Sequence, residues 1–173
     1  MFELRIAERS LRDSVADFFK SGTLLAAYNV YDEDDLRRTD PPVWPHIFVL
    51  RPYVEFVAHH LPVIVTEITG YRKYPIELGG AAIGEAQASL HIFGRNRSER
   101  DDLAGALMHT NGLKQITLRD YGAAGQPVIG TAGLIPSGRD YWRIQAHTVG
   151  QDLQIESSLA NWLELMCSFI VAI

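Results

Sequence analysis

The residues of this chain whose types could carry chemistry are six histidines, one cysteine and a short acidic run. His59 and His60 form the obvious pair for a metal ion. Adjacent residues point in different directions on a strand or helix, however, and rarely chelate one ion together. No H-x-x-x-H or H-x-H spacing accompanies them, so no metal site is expected. The run Asp32, Glu33, Asp34, Asp35 could offer oxygen ligands to a hard cation, but it lacks the glycine and distal glutamate of an EF-hand loop. With Arg37, Arg38 and the Pro41-Pro42 pair behind it, it reads as an exposed, solvated loop.

Nucleophilic chemistry fares no better. Cys167 could pair with His91 or His147, but its neighbours (LMCSFIVAI) are apolar and oppose thiolate formation. No G-x-S-x-G elbow exists for a serine nucleophile. Gly79-Gly80 and Gly130-Thr131-Ala132-Gly133 match neither phosphate-binding glycine pattern, so no nucleotide and no other cofactor is expected. What is left of an enzyme reading is a small cytoplasmic α+β protein using His91 or His147 as a general base. The expectation is that the chain is not an enzyme.

The elements that must position these residues follow from periodicity. Leu11, Val15, Phe18 and Phe19 recur at helical spacing, predicting a helix over Ser10 to Lys20 ended by Gly22. Leu24 to Tyr31, His46 to Leu50 and Val63 to Thr69 read as strands, the latter two with a proline close to the start. Tyr53 to His60 is ambiguous. Gly70 and Tyr71-Arg72-Lys73-Tyr74 predict a turn or hairpin bend before Pro75 to Leu78, and Gly79-Gly80 breaks the pattern again. From Glu85 the residues alternate, with Ala86, Ala88, Leu90 and Ile92 on one face and Gln87, Ser89, His91 and Phe93 on the other. Gly94 ends that strand.

Ser98, with Asp101 three residues on, resembles a capping box, and Glu99, Asp101 and Asp102 suit the positive first turn of a helix over about 98–110. Leu103, Ala106 and Leu107 form its buried stripe, and Gly112 closes it. Ile116 and Leu118 mark a further strand. Ala123 to Gly138 is a Gly-, Ala- and Pro-rich excursion expected to be flexible. Tyr141 to Thr148 and Leu153 to Ser157 read as a hairpin around Val149-Gly150-Gln151, and Leu163 to Ile173 fits either a strand or a helix.

The length of 173 residues suits a single domain spanning the whole chain, and no repeat period suggests a solenoid or propeller. The fold class expected is α+β: a mostly antiparallel sheet with the N-terminal helix and the second helix packed on one face. A formal net charge of −5 argues against a general nucleic-acid binder. A single cysteine excludes a disulfide within the chain. The N-terminus MFELRIAERSLRD lacks the pattern of a signal peptide, and no apolar run is long enough for a membrane span, so no membrane partner is expected.

The stretch IELGGAAIGEAQASLHIFGRNRSERDDLAGALMHTNGLKQITLRDYG resembles the neck and tail-completion proteins of tailed bacteriophages, the tail terminators among them. In that group a long strand leads into a polar, Arg-containing turn, then a helix with Asp-Leu near its start, then a short strand. Gln87 to Phe93, Arg95 to Glu99, Arg100 to His109 and Gln115 to Arg119 supply those parts. The resemblance implies a virion protein without catalytic residues, assembled in the host cytoplasm. It would form a homo-oligomeric, commonly hexameric ring between head-completion proteins and the tail tube or sheath, with DNA only passing through the lumen. A non-viral adaptor module is the other non-enzymatic reading. For a ring, the candidate interface residues are Trp44, Tyr71, Arg72, Tyr74, Gly79, Gly80, Arg95, Arg97, Pro127 and Ile135, drawn from loops and exposed aromatics. Tyr53 and Tyr141 share the same loop setting.

Overall fold

The computed structural model describes residues 4–22, 26–78, 81–108, 119–120, 126–127, 144–145 and 162–172, and the side chains of 8, 9, 11–22, 26–70, 87–108 and 162–165. In chain order these form helix α1 (Leu4–Ser21), strands β1 (Asn29–Tyr31), β2 (His46–Leu50), β3 (Val63–Leu78) and β4 (Ala81–Phe93), helix α2 (Arg97–Met108), the short strands β5 (Arg119–Asp120), β6 (Gln126–Pro127) and β7 (Ile144–Gln145), and β8 (Trp162–Ala172). Single turns of 3-10 helix cover Asp34–Arg37 and Ala58–His60.

The fold is α+β, as the periodicity predicts. Leu11, Val15 and Phe19 of α1 and Leu103, Ala104 and Leu107 of α2 share one core with Ile47, Val49, Ile64, Ala88, Leu90, Ile92, Leu163 and Leu165. Both helices therefore cover the same sheet face. Alternation along β4 puts Ala88, Leu90 and Ile92 against them and leaves Ser89, His91 and Phe93 on the other side. α1 stops where Gly22 takes φ +64, a backbone conformation that costs glycine no Cβ clash.

The main sheet runs β1-β2-β3-β4-β8-β7, with β5 and β6 paired apart from it. Pairings β3 with β4, β4 with β8 and β7 with β8 are antiparallel, whereas β1 with β2 and β2 with β3 are parallel. The parallel half goes beyond the expected mostly antiparallel sheet and has a physical basis. Residues 32–45 and 51–62 are long enough to cross over, and β2 is buried on both faces, as interior parallel strands are.

Two local expectations are corrected. The turn expected at Gly70 to Tyr74 is strand: β3 runs through to Leu78, with register shifts between Ile68 and Gly70 and between Lys73 and Glu77. Gly70 and Pro75 thus mark irregularities in one long strand, where a missing side chain or missing N–H is tolerated. Leu78 pairs with Ala81, so the chain reverses between them, with Gly79 and Gly80 outside the described residues. The C-terminal segment, open to either reading in the sequence, is strand β8, alternating Leu163 and Leu165 inward with Trp162 and Glu164 on the opposite face.

The cap of α2 is the second correction. Asn96, not Ser98, accepts the backbone N–H of Glu99 on its Oδ1 at 2.9 Å, while the Glu99 carboxylate accepts the Arg95 N–H at 2.8 Å. Gly94 makes this tight entry fit, since a Cβ there would lie 2.7 Å from the Arg100 nitrogen and 2.8 Å from the Asn96 carbonyl oxygen. Asn96→Ala is expected to cost about 1 kcal/mol, and Ser98→Ala only a few tenths at most (~0.3 kcal/mol), in urea denaturation. Equal losses would return the cap to Ser98. The expected strand at Ile116 and Leu118, Gly112, the hairpin around Val149 to Gln151, and most of Ala123 to Gly138 lie outside the described residues.

Candidate functional site

Of the ten candidate interface residues, the structure brings Trp44 and Arg95 together. Trp44 precedes β2 and is 60% exposed, and Arg95 follows β4. The Arg95 guanidinium carbon lies over the Trp44 ring at 4.3 Å from its centroid. Glu99, in the first turn of α2, fixes Arg95 by accepting from Nε at 3.1 Å and from Nη2 at 2.5 Å. That hydrogen bonding raises the Arg95 pKa. Burial pushes the Glu99 carboxyl up, but the bonds from Arg95 outweigh it and hold it below the ordinary glutamate value. Val43, 64% exposed, extends the apolar surface of this corner. Arg97 projects outward from α2, 3.6 Å from Asp101.

The remaining candidates are elsewhere. Tyr71, Arg72 and Tyr74 lie on the outer part of β3, where Tyr71 pairs with Ala86 and Arg72 with Glu85. Since β2 runs parallel to β3 and ends at the Leu50–Val65 pairing, these residues and Trp44 sit at opposite ends of the sheet. Pro127 is in β6, paired with Arg119, and Ile135 lies outside the described residues. β3, β4 and β8 run on past the last described core residues Ile68, Ala88 and Leu165, together forming a three-stranded extension from Gly70 on β3, Gln87 on β4 and Met166 on β8. Its longest strand continues for about 30 Å at the usual rise per residue.

The acidic run is not simply solvated. Asp32 Oδ1 accepts the Asp34 N–H, and Asp35 Oδ2 accepts the Asp32 N–H, each at 3.0 Å, so the run caps its own turn. Glu33 turns inward: it accepts from Arg12 Nη1 of α1 at 2.5 Å, from the Arg51 N–H at 2.7 Å and from Arg51 Nε at 3.0 Å. Nothing in four consecutive acids marks which one has two arginines waiting, because those arginines come from positions 12 and 51. The expectation of an exposed loop is therefore corrected at Glu33.

The histidines also resolve. On the sheet face opposite the helices, His91 donates from Nε2 to Glu67 at 3.2 Å, and its ring lies 5.6 Å from that of Trp162. Ser89 donates to Glu164 at 2.7 Å. These contacts tie β3 to β4 and β4 to β8, and they commit the Ser89 proton to a carboxylate rather than to His91. His147 lies outside the described residues. His46 and His60 are buried, a placement that no local feature of the sequence signalled. His59 and His60 stand ring to ring at 4.0 Å, and the His60 Nδ1 is occupied by the Val57 N–H at 3.1 Å.

Among the described residues, no group of three or more His, Cys, Asp or Glu could hold a metal ion, and no helix is long and apolar enough to cross a membrane. The chain matches no protein-family model and no curated protein.

Proposed function

We propose that this chain is a structural protein of a tailed-phage virion, one subunit of a homo-oligomeric neck ring that terminates the tail or joins it to the head. The observation that carries this reading is the placement of two unlike surfaces at opposite ends of one sheet. One is the Trp44–Arg95 corner, and the other is the extension of β3, β4 and β8. A closed ring is built from heterologous contacts, each joining a different patch of neighbouring subunits. An exposed tryptophan roofed by an ordered arginine is the kind of anchor such contacts use. Long strands give the partner patch, since strand edges readily pair with another chain. Support also comes from the order of elements between Leu61 and Tyr121, which resembles that of neck and tail-completion proteins. Head-completion, tail-tube or sheath proteins would then flank the ring, a hexamer being the expected size, with DNA passing through an acidic lumen that does not retain it.

Native mass measurement of the full chain, together with detection of the protein in purified virions, tests the proposal. A closed ring and presence in the particle are expected. Trp44→Ala should shift the ring toward monomer while changing the unfolding midpoint little, by about 0.5 kcal/mol, because the side chain is exposed. A protein that stays monomeric at high concentration and is absent from virions would sink the reading.

A further inference from the structure

Residues 51–62 cross the sheet face opposite the helices. They carry Val54, Phe56 and Leu61 onto Phe48, Val63, Phe93 and Trp162, with the Phe56 and Phe93 rings 5.0 Å apart. Two buried imidazoles hold the far end of this segment. His46 donates from Nε2 to the Leu61 carbonyl at 3.0 Å. Its other nitrogen, Nδ1, is buried and meets no hydrogen-bond partner among the described residues, behind the rings of Tyr31, Trp44 and Phe48. His60 is fixed the opposite way round: its Nδ1 accepts the Val57 N–H, so that nitrogen carries no proton.

Neither ring can take up a proton in place. On His46 the added N–H and its charge would be buried without an acceptor among the described residues, and on His60 an N–H would face an N–H. We propose that residues 51–61 are an acid-released cover, held shut by the neutral imidazoles of His46 and His60 and opened when both are protonated. Opening uncovers the apolar face formed by Phe48, Val63, Phe93 and Trp162.

The charges around the pair favour the neutral forms. For His46, burial is the largest effect and Arg95 adds to it, against the opposing pull of the Leu61 carbonyl and Glu99. For His60, burial again leads and His59 adds to it, opposed by a bond to the Leu36 backbone. Tyr31 of β1 faces His46 as well, its hydroxyl accepting the Val43 N–H. Both values thus fall below the free-histidine 6.5. The closed state keeps its full advantage above that pH and loses it as pH falls from there through the lowered values.

Amide hydrogen exchange of residues 51–61 by mass spectrometry, corrected for intrinsic rates, reads the opening equilibrium. Between about pH 7.5 and about pH 5.5, two histidines released to their free value raise it by up to about 100-fold and one by up to about 10-fold. Glu33, which holds Arg51 at the near end, titrates below 4.5 and lies outside this window. The double variant His46→Gln with His60→Asn keeps a donor for Leu61 and an acceptor for Val57, and should leave exchange flat. A flat wild-type profile, a rise that either single variant leaves undiminished, or an undiminished rise in the double variant overturns the paired mechanism. Should the double variant not fold, NMR titration of the wild-type ring C–H protons decides instead. Both rings must titrate below 6.5, and either one at or above it overturns the proposal.

Discussion

Leu90→Ala is expected to destabilise the protein by about 3–4 kcal/mol, read as a lower denaturation midpoint at unchanged m-value. Leu90 is fully buried and lies mid-sheet, with Thr66 as its register partner on β3 and Leu165 on β8. The core it belongs to takes in both helices and four strands. Truncation there removes apolar contacts and leaves a cavity between elements drawn from distant parts of the chain. No single element can move to fill it without loosening the others, which places the loss in the upper part of the usual range. Gln87→Ala, at an exposed position of the same strand, is the control and should change stability by about 0.5 kcal/mol or less. A Leu90→Ala loss as small as the control's would mean that the sheet and helices do not share one core.

Glu33→Ala is expected to cost about 2–3 kcal/mol near neutral pH, although a carboxylate in an acidic surface run would ordinarily be dispensable. The substitution leaves the Arg12 guanidinium, only 14% exposed, with Asp13 as its remaining ion-pair partner among the described residues, and frees the first residue after β2. Burial alone would raise the Glu33 pKa, but its own backbone amide, the Arg51 amide and side chain, and the Arg12 charge together hold it below 4.5. The folded carboxyl is therefore the stronger acid. Its contribution is complete above the unfolded value near 4.5 and disappears as pH falls through the lower folded value. Wild type and variant should accordingly converge in stability in acid. A gap that persists at a pH low enough to protonate the folded carboxyl would show that Glu33 acts through packing and not through charge.

These two sites differ in how far the sequence exposed them. Leu90 was legible because β4 alternates residue by residue, and that alternation directly records which side chains meet the helices. The stripe of α1 was legible for the same reason at helical spacing. Glu33 was not, because its partners lie 21 and 18 positions away and any of four neighbouring acids could have filled the role. The α2 cap illustrates a smaller failure of the same kind. Ser98 and Asn96 are both competent caps, and the choice depended on where Gly94 let the chain enter the helix.

The candidate surface divides in the same way. Trp44 and Arg95 could each be named as exposed loop residues, but 51 positions separate them in sequence, and nothing local says that one roofs the other. Tyr71, Arg72 and Tyr74, read as a turn, belong to a strand because pairing with β4 continues past Gly70 through a register shift. His46 and His60 carry no local mark of burial, and their ring bonds to Leu61 and Val57 exist only once residues 51–62 fold back over β2.

By itself, the sequence determined the class of the fold, the two helices, the strands from His46 and from Glu85 with the two alternating faces of the latter, and the lack of any recognisable catalytic or nucleotide motif. Those properties are periodic or compositional, set by side chains within a few residues of one another. Only the tertiary structure decided that β1, β2 and β3 run parallel, that the C-terminal segment is a strand on β4, that Glu33 joins α1 to the end of β2, and that residues 51–62 cross an apolar face with the His46 and His60 rings bonded to Leu61 and Val57. Each of those depends on which distant segments meet and in which direction. Hydrophobic periodicity is blind to that choice, because a strand buries the same residues whether its neighbour runs parallel or antiparallel.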